Sequence, residues 1–408
     1  MGSPVIEITY QSVSQDVSRI EKLRCLFISR YAPIRTQTDP YTGLPWYLSQ
    51  QTELTGIWNK PERGTVAFGE TCQEVSEVTA GIKGWLEKLR HAWARARGTT
   101  KPDVVVCGID EHSLSLAVLA GTMARAPVFA FVEDPPFTNR YDGLLSAPKS
   151  AERALRRKIV STLLQRCTGI FCFVERAAMN GFDISGVTLH QMLNSPSAKA
   201  LTWLEENPHR AASADDFVVG LVGALCEEQG LGTLLEIIAE ANKRIERLKV
   251  RLIGPMDPGY EGVFYEKVRR LGLQSTIEVT GWLSYPTMLE KLSGCSIGVY
   301  CNPDTDWYQV AQPLKICEYL ALAKPVIAWD YPGTRRMLDQ GRLGALVPPG
   351  DVSTFADALV RLREPSVRAK IETEIRTATA GHWSATHWFG ETLKIMQECV
   401  GGKSDPGS

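Results

Sequence analysis

The feature that most constrains the fold is a series of short apolar runs separated by longer segments with helical periodicity. The first half of the chain carries LRCLFIS (23–29), DVVVCGI (103–109), PVFAFVED (127–134) and TGIFCFVE (168–175). These runs are too apolar for strands with one face in water. Near-continuous apolar strands that alternate with helices are typical of a parallel sheet covered on both faces.

The second half of the chain repeats this rhythm. At 408 residues, the chain exceeds the roughly 250–300 residues at which one hydrophobic core stops growing. We therefore predict an α/β protein with two doubly wound domains that face a central cleft. The strands predicted for the second sheet are DFVVGLVG (216–223), KVRLIG (249–254), STIEVTG (275–281), CSIGVYC (295–301), KPVIAW (324–329) and GALVP (344–348).

A polar segment with two prolines, residues 194–216, separates the two series of strands and is interpreted as the interdomain linker. The predicted N-terminal domain spans 1–195 and the predicted C-terminal domain spans 214–380. In doubly wound sheets, ligands bind outside the carboxyl ends of the strands. Gly223, Gly254 and Gly281 follow predicted strands there and would let a nucleotide-sized ligand approach the backbone closely.

Composition limits the partners and the compartment. The chain has 45 basic and 46 acidic residues, so no overall field favours nucleic acid. Its ten cysteines include no Cys-x-x-Cys pair, as expected of a reduced protein. No apolar run approaches 18 residues and no signal peptide is recognisable. We expect a cytoplasmic protein that does not bind nucleic acid.

A lysine and a glutamate stand three residues apart in QPLKICEYLALA (312–323), a segment otherwise suited to burial. Apolar residues recur there at i, i+3, i+4 and i+7, which predicts a helix that includes Ala323 on its buried face and Pro313 in its first turn. A helix N-terminus attracts anions, so Lys315 would suit a diphosphate, and Glu318 could accept hydrogen bonds from ribose hydroxyls. The alternative is an ordinary ion pair between Lys315 and Glu318.

The run PLKICEYLALAKPVIAWDYPG, followed by GRLGALVPPGDVSTFADAL, resembles the donor-binding half of GT-B glycosyltransferases. It is most similar to retaining enzymes of glycosyltransferase family 4 and their Lys-x-x-Glu relatives, over about 217–360. HWSATHWFGETLKIMQE resembles the terminal helix, here 383–400, that joins the N-terminal domain. The resemblance implies two Rossmann-like domains and transfer of a sugar from a UDP- or GDP-linked donor, with retention and without metal or cofactor.

The resemblance also implies a set of site residues. Lys315 would contact the diphosphate and assist its departure, and Glu318 would hold the ribose. His112, which follows a predicted strand of the first domain, would approach the donor sugar; the alternative is a plain helix-start residue. The remaining residues expected at the donor nucleotide are Gly223, Gly254, Pro255, Trp282, Pro313, Leu314, Tyr331 and Gly333.

Several positions depart from the family pattern. Ala224 and Gln229 stand where many members have an arginine and a lysine that clamp the diphosphate, and Val310 replaces the first glutamate of the paired-glutamate motif. Asp304 and Asp306 are candidate substitutes for that glutamate. Lys315 could replace the lost clamp, helped from across the cleft by Arg30 or Arg35, which lie near Thr42 and Gly43 on the same segment.

The acceptor is left open as a saccharide, a lipid-linked glycan or a small molecule. Segment 133–143, with Asp134, Asn139 and Arg140, suits an acceptor loop, although a plain surface loop is the alternative. The basic helix predicted at 149–166 could rest on the inner face of a membrane, or be a solvated helix face. Two other functions remain: a nucleotide-sugar epimerase of the same fold, and an inactive nucleotide-sugar-binding subunit favoured by Ala224, Gln229 and Val310.

Overall fold

The N-terminal domain is a parallel seven-stranded sheet with helices on both faces. In the sheet the strands follow the order β3-β2-β1-β4-β5-β6-β7. The computed structural model describes residues 22–29, 43–59, 74–78, 82–132, 147–207 and 217–401. The elements of this half are β1 (Arg24–Ile28), α1 (Gly43–Gln51), β2 (Glu53–Asn59), β3 (Glu74–Val78), α2 (Ile82–Arg97), β4 (Val104–Gly108), α3 (Glu111–Ala124), β5 (Val128–Val132), α4 (Ala147–Leu164), β6 (Gly169–Cys172), β7 (Thr188–Gln191) and α5 (Ala198–Glu206).

The C-terminal domain contains a second parallel sheet, of six strands in the order β10-β9-β8-β11-β12-β13. Its elements are β8 (Phe217–Val222), α6 (Leu231–Asn242), β9 (Leu248–Ile253), α7 (Glu261–Arg270), β10 (Ile277–Val279), α8 (Tyr285–Ser293), β11 (Ile297–Tyr300), α9 (Asp306–Val310), α10 (Leu314–Ala321), β12 (Val326–Trp329), α11 (Pro332–Met337), β13 (Gly344–Val347), α12 (Val352–Leu362), α13 (Pro365–Thr379) and α14 (Ala385–Gly401).

Both sheets reverse their strand order at one point, between β1 and β4 in the first and between β8 and β11 in the second. Strands at such a point diverge into helices on opposite faces, which leaves a crevice at their carboxyl ends. Almost every residue of β4, β5 and β8 is buried. Because both faces of each sheet are covered, these strands appear in the sequence as continuous apolar runs. The predicted doubly wound α/β class is confirmed.

The last helix, α14, packs on the N-terminal domain although it follows the C-terminal one. Phe389, Leu393 and Met396 share a buried cluster with Leu44 of α1 and Phe173, which follows β6. The ring centroids of Phe173 and Phe389 lie 6.2 Å apart. The chain therefore crosses between the two sheets twice.

Two details differ from the sequence predictions. The segment interpreted as linker contains α5, whose N-terminus is capped by Ser197, with Trp203 and Leu204 packed on the C-terminal core. Helix α10 is shorter than predicted at both ends. Pro313 has an extended backbone (φ −71°, ψ 129°) and precedes the first turn as the N-cap, and Ala323 has a left-handed φ of 53° that ends the helix before Pro325.

Candidate active site

The candidate site lies where strand order reverses in the C-terminal sheet. Gly223 follows β8 there and adopts a φ of +124°, which disfavours any residue with a side chain. A Cβ atom added to Gly223 would lie 3.6 Å from the Lys315 ammonium nitrogen. The backbone after β8 and the first turn of α10 are thus brought together at the crevice.

A second glycine holds the neighbouring loop against this one. Gly254, after β9, has a φ of +146°, and a Cβ there would overlap the carbonyl oxygen of Gly223 at 1.9 Å. Gly254 also pairs with Gly281, which follows β10. The three glycines singled out in the sequence therefore sit on three adjoining loops at the carboxyl edge of the sheet.

Lys315 lies in the first turn of α10 and points toward this edge. Its Nζ donates a hydrogen bond to Oε1 of Gln229 at 3.0 Å and lies 5.7 Å from the centroid of the Tyr300 ring. Burial disfavours the charged ammonium and lowers the pKa of Lys315 to about 8. The side chain therefore holds a positive charge whose hydrogen-bond acceptor is a neutral amide.

Gln229 is itself fixed by a polar network. Asn302 donates from Nδ2 to Gln229 Oε1 at 3.1 Å, and Gln229 donates from Nε2 to the Tyr308 hydroxyl at 3.2 Å. The Tyr308 hydroxyl in turn donates to the carbonyl of Glu228 at 2.9 Å. The sequence identified Gln229 as a position where a family cation is replaced, but not as the hydrogen-bond acceptor of Lys315. Asn302 and Tyr308 belong to no motif that could have identified them.

Glu318 lies one turn further along α10 and is partly buried. Burial raises the pKa of its carboxyl to about 7, and the nearby Lys315 charge lowers it only in part. Within residues 217–401, which include both side chains, Lys315 and Glu318 form no ion pair; Lys315 turns to Gln229 instead. The ordinary ion pair considered from the sequence is thus not observed.

The other predicted donor-side residues occupy varied environments. Trp282 is 73% exposed beside Gly281, so one face of a large ring is available at this edge. Pro255 accepts a hydrogen bond from the Leu225 amide at 2.9 Å. Tyr331 is buried, and its hydroxyl donates to the carbonyl of Asn302 at 3.2 Å.

Gly333 allows a close helix approach, because a Cβ there would meet the carbonyl oxygen of Ala311 at 2.0 Å. Leu314 opens α10 and is partly buried, directly after Pro313. The approach of Gly333 to Ala311 packs the first turn of α11 against the end of α9, shortly before α10 begins.

The positions that depart from the family pattern are also placed. Ala224 is exposed, and Val310 closes α9 with its carbonyl accepting the Glu175 amide at 2.8 Å. Asp304 and Asp306 are both exposed, and Asp304 accepts a hydrogen bond from Gln309 Nε2 at 2.8 Å. Both carboxylates stay candidate substitutes for the missing glutamate.

On the N-terminal side, His112 is exposed in the first turn of α3, after β4. Asp110 caps this helix, and its Oδ1 accepts the amide of His112 at 3.2 Å. Gly43 is the first residue of α1. The remaining predicted residues lie outside the described part of the chain: Arg30, Arg35, Thr42, Asp134, Asn139 and Arg140.

Gln312 connects the start of α10 to the first domain. This buried side chain accepts the Asn194 amide at 2.7 Å and donates to Oε1 of Glu175 at 3.2 Å, while its carbonyl accepts from Asn194 Nδ2 at 2.9 Å. Arg336 of α11 lies 3.9 Å from the same carboxylate. The helix that carries Lys315 and Glu318 is therefore anchored to the ends of β6 and β7.

Helix α4, the basic helix predicted at 149–166, exposes two large apolar side chains. Leu155 is 61% and Ile159 43% exposed, while Arg156 pairs with Glu111 of α3 at 2.5 Å. None of the helices in the described ranges is both long and apolar enough to cross a membrane. Over the same ranges there is no cluster of three His, Cys, Asp or Glu side chains suited to a metal ion.

Comparison with known proteins identifies the domain that holds this site. Residues 216–364 match the family model described as Glycosyl transferases group 1. The C-terminal domain is a group 1 glycosyltransferase domain. The predicted resemblance to GT-B glycosyltransferases is thereby confirmed, and the match covers α10 with its Lys315 and Glu318.

Solved structures share the fold over more than 90% of the chain, well beyond the group 1 domain. Alr3699/HepE from Anabaena in complex with UDP superposes with a TM-score of 0.69 at 14% identity, over 92% of this chain and all of that chain. Sucrose-phosphate synthase from Thermosynechococcus elongatus gives a TM-score of 0.69 at 13% identity, over 93% of this chain and 100% of that one. At such identities these superpositions show the fold alone, which is GT-B.

Curated relatives match over shorter stretches. An alpha-D-kanosaminyltransferase from Streptomyces kanamyceticus is 24% identical over 187 residues, which is 44% of this chain and 45% of the relative. A phosphatidyl-myo-inositol mannosyltransferase from Mycobacterium leprae is 40% identical over 67 residues, 16% of this chain and 17% of the relative. The chain thus spans less than half the length of these relatives.

Proposed function

We propose that the protein transfers a sugar from a nucleotide-sugar donor to an acceptor, with retention of anomeric configuration and without a metal ion. The observation that carries the proposal is the Lys315 ammonium at the carboxyl edge of the group 1 domain. It is partly buried, it lies beside Gly223, and its hydrogen-bond acceptor is the neutral Gln229 amide. A charge held in this way is available to neutralise a diphosphate.

The chemistry needs such a charge most at the transition state. Glycosyl transfer passes through an oxocarbenium-like state while negative charge develops on the departing diphosphate. Hydrogen-bond donors that already point at the oxygen of the departing diphosphate stabilise the transition state more than they stabilise the bound nucleotide sugar. In this proposal Lys315 supplies the cation, the amides at the start of α10 add partial positive charge, and no divalent ion is required.

The rest of the donor is assigned to neighbouring groups. Glu318 would accept hydrogen bonds from the ribose hydroxyls, since its carboxylate lies one turn from Lys315 on the same helix. The exposed ring of Trp282, with Pro255 and Gly254, would border the nucleobase. His112 would approach the sugar from the N-terminal domain, and the leaving phosphate itself would take the acceptor proton.

A uridine diphosphate sugar is the first donor to test. The Anabaena protein of the same fold has been crystallised with UDP and with UDP-glucose. The acceptor is left to the N-terminal domain, where segment 133–143 is proposed as its loop. Contact of α4 with a membrane surface remains part of the proposal, motivated by the exposed Leu155 and Ile159.

A donor-hydrolysis assay tests the proposal without knowledge of the acceptor. The full chain is incubated with UDP-, GDP- and ADP-linked sugars in the presence of EDTA, and release of nucleoside diphosphate is measured. We expect slow release from one donor class, reduced by about 10²–10³-fold in Lys315→Met. Release should be retained in Lys291→Met, which removes an exposed lysine of α8. Absence of release from every donor, with nucleotide binding intact, would contradict transferase activity.

The same assay separates the alternatives. An epimerase would convert the donor sugar without releasing nucleoside diphosphate, and an inactive subunit would bind the nucleotide without any turnover. The comparisons with known proteins favour neither alternative.

A further inference from the structure

A basic cavity lies at the opposite end of the C-terminal domain from the candidate active site. Its volume is about 250 Å³, and it is bounded by the C-terminal ends of α5, α8 and α10 and by one side of α13 between Pro365 and Arg376. The nearby strands β11 and β12 begin at this edge, whereas the candidate active site lies where strands end. The polar residues that line it are Asn207, Ser293, Ser296, Lys324, Arg368, Glu372 and Arg376.

The cavity concentrates positive charge. Lys324, Arg368 and Arg376 face it, and Glu372 is the acidic residue among its lining side chains. Three cations against one carboxylate leave two positive charges around a space of limited size. A dianion would match this charge, and it could accept several hydrogen bonds from donors arranged around it.

Lys324 is the member of the group that most needs a partner. Its side chain is partly buried, and within the described ranges no hydrogen bond or close ion pair engages its ammonium. Burial lowers the pKa of Lys324, the attraction of Glu372 offsets part of this shift, and the charges of Arg376 and Arg368 add to it. A desolvated ammonium without a partner is costly, and an anion in the cavity would remove that cost.

Arg368 is held in place by the protein. Its Nη1 donates to the carbonyls of Leu362 and Arg363 at 2.7 and 2.6 Å, and its guanidinium stacks 5.5 Å from the centroid of the Phe217 ring. These contacts use only one nitrogen, so the remaining N–H groups of the guanidinium can serve a ligand. A guanidinium fixed in this way is suited to bidentate recognition of phosphate.

We propose that this cavity binds a small phosphate-bearing anion. Its volume is below the roughly 300–1,000 Å³ of pockets for drug-sized ligands, so inorganic phosphate or a sugar phosphate fits the class and a nucleotide sugar does not. Lys324 follows the C-terminal end of α10, whose first turn carries Lys315. A ligand bound beside Lys324 would therefore lie at the C-terminal end of α10, the helix whose N-terminal end carries Lys315 of the candidate active site.

Isothermal titration of the full chain with sodium phosphate, and separately with glucose 6-phosphate, tests the proposal at ionic strength held constant with chloride. The variants are Lys324→Gln and the exposed Arg376→Gln, with Arg361→Gln as the matched control because that exposed arginine of α12 lies outside the cavity. Lys315→Met removes phosphate binding at the candidate active site. UDP binding by Lys324→Gln, Arg376→Gln and Arg361→Gln reports on their fold, and thermal unfolding does so for Lys315→Met.

We expect saturable phosphate binding in the wild type, in Arg361→Gln and in Lys315→Met. Each cavity variant should weaken phosphate binding by about tenfold or more, which corresponds to about 1.4 kcal/mol. For Arg376→Gln, the UDP affinity measured without phosphate should stay unchanged.

Tighter binding of glucose 6-phosphate than of phosphate would identify a sugar phosphate as the ligand, and equal binding would identify the free ion. Failure of both probes to bind, equal binding by all variants, or loss only in Lys315→Met would overturn the proposal. If Lys324→Gln fails to fold, Arg376→Gln decides.

Discussion

No carboxylate forms a direct ion pair with Lys315 in the described part of the chain, although the Glu318 charge one turn away attracts its ammonium. Its ordinary partner in a helix would be Glu318, three residues on, yet its ammonium bonds to the Gln229 amide instead. Burial of an ammonium without a carboxylate destabilises the folded state, so the residue is costly unless a ligand uses the charge.

Replacement of Lys315 by Met should therefore separate function from stability. We expect turnover to fall by about 10²–10³-fold, because the developing charge of the leaving group loses its cation. Stability at pH 7 should rise by on the order of 1 kcal/mol. The folded-state pKa of about 8 lies below the ordinary value of 10.5, so this gain is largest below pH 8 and disappears as the pH rises through 10.5.

Kinetics and thermal unfolding of the two variants provide the check. Lys291→Met removes an exposed lysine of the same domain and should leave turnover and melting temperature unchanged. Equal turnover in wild type and Lys315→Met would remove the phosphate role of Lys315.

We expect the Glu318 carboxylate to bind the ribose of the nucleotide and not its phosphates. In Glu318→Gln we expect UDP affinity to fall by about tenfold, as for loss of a hydrogen bond to a charged acceptor, while affinity for pyrophosphate stays the same. Titration calorimetry with both ligands measures this difference. An equal loss for pyrophosphate would contradict ribose contact.

The two groups also set a pH window for UDP binding. The Glu318 carboxyl, with a pKa of about 7, must lose its proton to accept ribose hydrogen bonds, and Lys315, with a pKa of about 8, must keep its proton to hold phosphate. Affinity should thus rise toward pH 7 and fall above pH 8. Titrations across this range should lose the Glu318-dependent part of the acid limb in Glu318→Gln and keep the alkaline limb. A flat profile above pH 8 would contradict the Lys315 assignment.

At the scale of elements, the loops after β8, β9 and β10 form the site because glycines let their backbones touch. Gly254 packs on the carbonyl of Gly223, and Gly223 in turn faces Lys315. The sequence indicated that these glycines mattered for ligand approach. The structure adds a second reason for Gly254, since any side chain there would collide with the neighbouring loop.

Gly223→Ala tests the importance of this approach. The left-handed φ of +124° makes alanine strained by about 1 kcal/mol or more, and the new methyl group would stand 3.6 Å from the Lys315 ammonium. We expect a lower melting temperature and weaker UDP binding. Gly262→Ala in α7 has open space around its Cβ and should instead stabilise the helix slightly without affecting UDP. UDP affinity unchanged in Gly223→Ala would argue against a ligand at this loop.

In helix α10, sequence periodicity predicts which residues are buried but not where the helix begins and ends. Burial of Ile316, Tyr319 and Leu320 follows from their spacing, and so does the separate face of Lys315 and Glu318. The ends of the helix depend on backbone hydrogen bonds that periodicity does not encode. Tyr319 accepts the amide of Lys324 at 2.9 Å and closes the helix before Ala323 can join it.

At the scale of the whole molecule, two doubly wound sheets were predictable because their strands are buried on both faces and therefore read as continuous apolar runs. Helix α5 was missed, because its alanines and glutamates lie within a polar, proline-bearing segment typical of a linker. The Gln229–Asn302–Tyr308 network could not be read from the sequence. It joins residues about 70–80 positions apart that meet only when β8 and β11 become neighbours.

The link between the domains also emerges only at this scale. Gln312 joins the start of α10 to Glu175 and Asn194, so the helix that bears the candidate site is fixed to the domain assigned to the acceptor. His112 is exposed at the carboxyl edge of its sheet, and its role remains a proposal.

A crystal structure of the full chain with UDP tests the central assignment most directly. We expect a β-phosphate oxygen within hydrogen-bond distance of Lys315 Nζ, about 2.7–2.9 Å, and the ribose hydroxyls at the Glu318 carboxylate. UDP bound with Lys315 still donating to Gln229 and no phosphate oxygen in reach would contradict the account.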